Sequence, residues 1–344
     1  MASLNINSLL LHIDELKLFL STSKIDILAI NETKLDSLIE NREIQLPGFE
    51  LVRRDRDLNG RHGGGICLYV RSNINYFIRH DLEAPTLEYL CIEITKPRSK
   101  AFLVNTWYRP PSSPSEAFHA FEKIIGRIDS EDKEHYLLGD INCDMLSPGA
   151  YNTSTLIDLF NIYGLSQLID EPTRVTPSSR TLIDLCVTNC PQKIVNAGVL
   201  HLGISDHSLV YFIRKTHYQQ TTARIIQSRV FKNFNKNDFL RELNEKPWCE
   251  VNSQNNPNCM WDIWKSLLME SIDKHAPIRS RRVGRKKAPW ITNELLKKMH
   301  VRNYLKKQAV NFNDGVSWEK YKRSRNLTNN AIKYAKQQYF SSKL

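Results

Sequence analysis

The sequence predicts an α/β domain over residues 1–216 and a mostly helical, basic extension over 217–344. Three observations carry this. Short apolar runs of strand length alternate with amphipathic segments up to about residue 215. Several of the strand-like runs follow one another directly, which calls for antiparallel pairs. From about Tyr218 the chain turns polar, basic and helical in pattern.

The elements follow in order. "LLLHIDELKLFLSTS" repeats its apolar residues at helical spacing and leads into "IDILAINETK", a strand ending in polar residues. "GGGICLYVRS" reads as a strand entered through glycines, followed by the strands "LEYLCIEIT" and "AFLVNTWYRPP". "SPSEAFHAFEKIIGRI" opens a helix on Ser115 with Glu116 in its first turn. The strand "HYLLGDIN" comes next, then the helix "NTSTLIDLFNIYGL", with Gly164 as its stop signal. "RTLIDLCVTN", "VNAGVLHLG" and "HSLVYFIRK" complete the strands. Beyond them, "KNDFLRELNE", "NCMWDIWKSLLMESIDKHAP", "PWITNELLKKMHVRNYLKKQAV" and "WEKYKRSRNLTNNAIKYAKQQYF" read as helices. That second part has few strand signals and buries little core alone.

The net charge of +11 is unevenly spread. Residues 279–344 hold 18 Lys and Arg against Glu294, Asp314 and Glu319, a net of +15, and the other 278 residues carry a net of −4. A near-neutral body with a basic tail suits a polyanion partner, although a solvated helical surface has the same composition. No apolar segment reaches the ~20 residues of a membrane helix, and the N-terminus lacks a signal-peptide pattern. The seven cysteines have no metal-like pairing; buried thiols in a reducing compartment are the expectation.

Chemistry concentrates at strand ends. Asp140 and Asn142 are two apart, so on a strand they project together while Ile141 faces the packed layer, and Gly139 lets the backbone approach a ligand. For "GDIN" alone, a strand running into an Asx turn is the commoner explanation. In "GISDHSLV", Asp206 stands beside His207, and a His so placed can be held protonated to serve a phosphoryl oxygen. Asp184 interrupts the apolar "RTLIDLCVT" and needs a partner; His207 is the candidate, in a pair that orients the ring and raises its pKa. Glu32 ends the strand in "LAINETKL", and Asn5 and Asn7 share a strand face in "SLNINSL". No Ser or Cys stands in a triad order. Oxygen ligands with one His suit a hard divalent cation, Mg²⁺ with Mn²⁺ as the alternative, and a metal beside a water-positioning carboxylate is equipment for phosphate-ester hydrolysis. The glycines of "RHGGGICLYV" lack the Gly-Lys-Ser/Thr and helix of a P-loop.

In order, "LNINSL", "NETKL", "WYRPP", "LLGDIN", "TLIDLCVTN" and "ISDHSLV" resemble the endonuclease/exonuclease/phosphatase superfamily, over residues 1 to about 215. "EPTR" at 171–174, followed by "LIDLCVTN" and "SDH", looks like the apurinic-type endonuclease domain of non-LTR (LINE-like) retrotransposon polyproteins. "DKHAPIRSRRVGRKKAPWITNEL" at 273–295 is similar to the connector those elements carry before their polymerase. There is no Tyr-x-Asp-Asp polymerase sequence, so the chain looks like a truncated element or a gene derived from one.

The resemblance implies a four-layer α/β sandwich, two packed mixed sheets flanked by helices, with the site where the strand ends of both sheets meet. It implies that Glu32 binds Mg²⁺ with Asn5 and Asn7 nearby and Asp206 assisting. Asp140, helped by Asn142, handles the attacking water; His207, oriented by Asp184, holds the scissile phosphate; Tyr108 contacts phosphate, and Thr181 lies where a phosphate-binding hydroxyl is often found. Two departures stand out. Only four residues precede Asn5, so a short, weakly paired first strand is expected. Asn7-Ser8 replaces the Asp-Gly usual in repair enzymes of the family, removing a charge from the metal site.

The expected function is an Mg²⁺-dependent endonuclease that nicks DNA to leave a 3′-hydroxyl for target-primed reverse transcription. The alternatives are a non-catalytic nucleic-acid-binding relic, discriminated by whether Asn5 is held near Glu32, and a superfamily phosphatase or phosphodiesterase, against which the basic tail and connector argue. Expected partners are DNA and, through the basic region, element RNA, with a nuclear location and no membrane. Arg281, Arg282, Arg285, Lys286 and Lys287 of "RSRRVGRKK" are the expected phosphate contacts. Trp290, Tyr304, Trp318, Tyr321, Tyr334 and Tyr339 are expected to serve mostly as helix packing.

Overall fold

Side chains that alternate at period two place the central strands of the two large sheets between two cores. The computed structural model describes residues 1–56, 63–97, 99–215, 225–282 and 288–343. Its elements run β1 (Ala2–Asn5), α1 (Leu9–Thr22), β2 (Ile27–Asn31), β3 (Phe49–Arg54), β4 (Ile66–Arg71), β5 (Asn75–Ile78), β6 (Glu88–Thr95) and β7 (Phe102–Tyr108). Then come α2 (Glu116–Ser130), β8 (Glu134–Asp140), α3 (Tyr151–Ile162), β9 (Ser166–Gln167), β10 (Arg174–Val175), β11 (Arg180–Thr181), β12 (Asp184–Thr188), β13 (Ile194–Leu200) and β14 (Leu209–Arg214). The remainder is β15 (Ile225–Arg229), α4 (Lys236–Glu245), α5 (Cys249–Asn252), α6 (Pro257–His275), β16 (Ile278–Arg282), α7 (Asn293–Phe312) and α8 (Gly315–Ser341).

One six-stranded sheet has the order β13-β14-β1-β2-β4-β3, the other β5-β6-β7-β8-β12-β9. Ile27, Ala29, Ile66 and Leu68 face the space between the sheets, where they join Tyr136, Leu138 and Cys186. Their neighbours turn outward: Leu28, Ile30, Cys67 and Tyr69 pack with Leu9, Ile13 and Leu16 of α1. On the far side Leu137, Leu185 and Val187 pack with Phe118 and Phe121 of α2 and Leu156 of α3. Helix, sheet, sheet, helix gives the four layers expected.

The short first strand pairs well. β1 is internal, parallel to β2 with Asn5 opposite Asn31, and antiparallel to β14 with Ala2 opposite Tyr211. Its four residues are buried, and a ladder on each side compensates for its length. Gly164 stops α3 in the left-handed region at φ +59°, as its position suggested. Ser115 precedes α2 without capping it through its hydroxyl.

The chain divides into two compact units, Met1–Tyr218 with Lys286–Leu344, and Gln219–Arg285. The residues read together as 217–344 are therefore split. In the first unit α7 and α8 supply Ala309, Val310, Trp318 and Tyr321 to a small core shared with Val175 of β10. Trp290 packs against Tyr339, with ring centroids 5.4 Å apart, whereas Tyr304 and Tyr334 are exposed. In the second unit β15 and β16 form an antiparallel pair beside α4–α6, two strands not apparent from the residue pattern. Only Ser271 and Ala276 are buried among its described residues, in keeping with a segment that holds little core. Among the described residues no helix is long and apolar enough to cross a membrane.

Candidate active site

Two strand ends are built alike. The Asn5 side-chain oxygen accepts from the Asn7 amide at 3.1 Å, and Asp140 Oδ1 accepts from the Asn142 amide at 3.1 Å. Each is an Asx-type closure that turns the chain off its strand, and Asn7 and Asn142 sit in the left-handed region at φ +52° and +51°. Asp140 and Asn142 therefore do not share a strand face: β8 stops at Asp140, and Asn142 Nδ2 donates to the Arg109 carbonyl at 2.9 Å. Asn5 and Asn7 differ from expectation in the same way, since β1 stops at Asn5. Turn and chemistry are one feature here. Gly139 also has a different use: a Cβ on it would lie 2.0 Å from the Trp107 carbonyl oxygen, so the backbone it admits is that of β7.

These ends converge. Asn5 Nδ2 donates to both Glu32 Oε1 and Asp140 Oδ2, each at 2.9 Å. The Tyr108 hydroxyl donates to the same Glu32 oxygen at 2.8 Å. Lys34 Nζ stands 3.8 Å from Glu32 Oε2 and donates to Asn7 Oδ1. Opposite, β12 runs antiparallel to β8 with Asp184 directly across from Asp140. Two buried carboxylates so placed repel each other unless a cation intervenes. His207 supplies it, with Nδ1 2.9 Å from Asp184 Oδ2 and 3.9 Å from Asp140 Oδ2. The Thr173 hydroxyl donates to Asp184 Oδ2 at 2.6 Å, and Arg174 holds Asp206 Oδ2 at 2.9 Å.

The electrostatics follow from burial and these neighbours. Burial, then the Asp184 charge, raises the pKa of Asp140 despite His207 and Asn5. Burial alone would lower that of His207, but Asp184, Asp140 and Asp206 outweigh it and the ring is raised to about 9, an imidazolium at neutral pH. Asp206 is lowered: burial opposes ionisation, and His207 and Arg174 overcome it. Burial and the Glu32 charge raise Tyr108, keeping its hydroxyl a donor.

Asp140, Asp184 and His207 bring ligand-type atoms within 4.8 Å of one another, close enough to hold a metal ion. His207 Nδ1 is already engaged by Asp184, however, so this trio is compensated by its own proton. Glu32 is less buried and offers the carboxylate oxygens a hard divalent cation prefers; the Asn5 and Asn7 amide oxygens beside it accept from the Asn7 amide and from Lys34.

The structure thus gathers Asn5, Glu32, Tyr108, Asp140, Asp184 and His207 into one network, with Asn7, Asn142 and Asp206 around it. Thr181 lies apart on β11, its hydroxyl directed at the Arg174 carbonyl at 3.4 Å. Arg281 and Arg282 are on β16, opposite Ile226 and Ile225; Arg285, Lys286 and Lys287 lie outside the described residues. Two residues escaped the sequence reading. Asn31 accepts from the Asp140 amide at 2.9 Å and donates to Thr106 at 3.3 Å, joining the two sheets under the site. Its signal was an amide closing an apolar strand. Thr173, quoted above only within "EPTR", is the other. Asp144, third in the "DINCD" alternation, accepts from the Leu182 amide at 2.8 Å and anchors its loop.

Comparison with solved structures places this fold beside two nucleases. The chain superposes on the endonuclease domain of TRAS1, a telomere-specific non-LTR retrotransposon, with TM-score 0.51 and 16% identity over 63% of this chain and 98% of that one. It superposes on the AP endonuclease LMAP from Leishmania major with TM-score 0.54 and 13% identity over 62% and 87%. No curated protein sequence matches. Residues 2–207 match the model of the Endonuclease/Exonuclease/phosphatase family, and the chain belongs to that family.

Proposed function

We propose that this chain is an Mg²⁺-dependent DNA endonuclease that hydrolyses one phosphodiester to leave a 3′-hydroxyl, as in target-primed reverse transcription of a non-LTR retrotransposon. One observation carries the reading: a buried imidazolium and a carboxylate of raised pKa face each other 3.9 Å apart at the strand ends of both sheets. Glu32, Asn5 and Asn7 would hold the metal, with Mn²⁺ as substitute and Asp206 nearby. When bound, the ion supplies positive charge beside the phosphate. Asp140 takes a proton from the attacking water as its oxygen bonds to phosphorus and the bond to the 3′ oxygen breaks, that oxygen leaving with a proton from solvent, and Asn142 fixes the turn behind it. His207, held by Asp184, donates to the phosphoryl oxygen on which charge develops. Tyr108 orients Glu32 and borders the phosphate position.

Asn5 lies 2.9 Å from Glu32, the placement that favours an enzyme over a binding relic. The retrotransposon assignment rests on the resemblance at 171–174 and 273–295, and a nuclear location and element RNA as a second partner go with it. Plasmid nicking with Mg²⁺ tests the whole. The parent chain should nick, and Asp140→Ala and His207→Ala should each lower the rate about 10²–10⁴-fold. A parent that hydrolyses small phosphomonoesters or inositol phosphates and leaves plasmid intact would favour the phosphatase alternative. For the basic segment, removal of residues 279–287 should flatten the salt dependence of DNA binding; an unchanged slope would sink that assignment.

A further inference from the structure

Helix α7 buries an unusual face. Its buried residues are Leu295, Met299, Arg302, Lys306, Ala309 and Val310, one stripe at helical spacing with two cations at its centre. Arg302 and Lys306 are each 1% exposed. A helix that only covered apolar surface would carry Leu or Met there, because burying a charge is costly unless every donor finds a partner. Arg302 reaches Glu15 of α1 at 2.7 Å, and Asn303 Oδ1 accepts from the Gly203 amide at 3.0 Å. Lys306 has three donors and three acceptors: the carbonyls of Leu202 at 2.8 Å, Ser205 at 2.5 Å and His207 at 3.1 Å. No carboxylate pairs with it among the described residues. All three carbonyls belong to the stretch between β13 and β14, which displays Asp206 and His207.

We propose that Lys306 is a positioning residue for the nuclease chemistry: by gathering the carbonyls of residues 202, 205 and 207 it fixes the backbone from which Asp206 and His207 project. This rests on the reading of His207 as the phosphate-holding group. It makes α7 a structural part of the active unit, in a region beyond the residues 2–207 that the family match covers. Burial pushes the ammonium down to about 7, the cost of keeping a cation in this place. Without it the three carbonyls would lose their partner inside the protein, and the loop would have to open to find others.

Lys306→Met in the full chain keeps an unbranched apolar stem, one heavy atom shorter, and removes every donor. The expected result is a fall in kcat for plasmid nicking on the order of 10²-fold, the loss that about 1 Å of misplacement can cause, with KM for DNA within about threefold of the parent. Amide hydrogen exchange should accelerate at residues 203–208 and stay unchanged in β1 and β2. Lys306→Arg, which keeps cation and donors, should recover part of kcat. A Lys306→Met chain with kcat within about twofold of the parent overturns the proposal, as does one that only melts earlier, with parental kcat per folded molecule. Should Lys306→Met not fold, Lys306→Gln is judged by the same criteria. A parent that does not nick DNA defeats the endonuclease reading instead. Hydrogen exchange then decides this inference, and unchanged protection at 203–208 in Lys306→Met overturns it.

Discussion

On one side of the site Asn5, Glu32 and Asp140 stand where β1, β2 and β8 end, and the main chain aims them. On the other side Asp184, Asp206 and His207 are aimed by side chains that reach across loops. The first side uses closures between residues two apart, Asn5 to Asn7 and Asp140 to Asn142, with left-handed conformations at Asn7, Glu32 and Asn142. The second uses Thr173 on Asp184, 11 residues away, Asp184 on His207, 23 away, and Arg174 on Asp206, 32 away. The first half therefore adds local backbone closures to its tertiary bonds, such as Asn5 to Asp140 and Tyr108 to Glu32, whereas the second is aimed by the long-range bonds just named. Damage to the backbone closures of the first half, with Asp140 itself kept, should appear mainly as lost stability, and damage to the second mainly as lost chemistry.

Asp184→Asn should have the largest effect of the changes that leave Asp140 and His207 in place. It removes the charge that holds His207 protonated and should lower nicking on the order of 10³-fold. The carboxylates raise His207 from 6.5 to about 9, so its pairing stabilises the fold fully below pH 6.5 and is lost as pH rises through about 9. The alkaline limb of the parent's rate should therefore lie near pH 9, and that of Asp184→Asn at lower pH. A limb that does not move would mean another group titrates there.

Gly139→Ala should strike the strand-end half. Its Cβ would meet the Trp107 carbonyl in a left-handed conformation, so a loss of about 2–5 kcal/mol is expected in denaturant unfolding. Thr173→Val, nearly the same shape, should cost less, about 1–2 kcal/mol, while lowering nicking about tenfold. If it destabilised the protein as much as Gly139→Ala, the contrast between the halves would fail. Arg174→Ala is the mildest, because its pair with Asp206 is exposed: less than about 1 kcal/mol, measured as a small shift in thermal midpoint that shrinks further in salt.

The same contrast explains what was legible. Asn5, Glu32 and Asp140 each interrupt an apolar run, so a linear reading finds them. That β8 ends at Asp140 was not readable, because strand alternation and an Asx turn place the same letters in the same order. Asp184 and His207 could be matched because a buried carboxylate demands a cation. Thr173 could not, since nothing local ties a loop threonine to a carboxylate 11 residues on, and Lys306 could not, since its partners are backbone carbonyls about 100 residues away, which leave no mark in the sequence. The basic C-terminal composition misled in one respect. It suggested a surface, yet Arg302 and Lys306 are interior and spend their charge on Glu15 and on carbonyls.

The internal position of β1 governs when this fold can close. Ala2 pairs with Tyr211 and Ser3 with Val210, so the first strand waits for one made more than 200 residues later. At synthesis rates of about 5–20 residues per second, the edge of β1 that pairs with β14 stays open on the order of 10–40 seconds on the ribosome. Contacts this distant in the chain also make refolding slow. Asn5 is carried on that same strand, so the candidate site is among the last features to assemble, and a nascent chain carries no competent centre until β14 has been made.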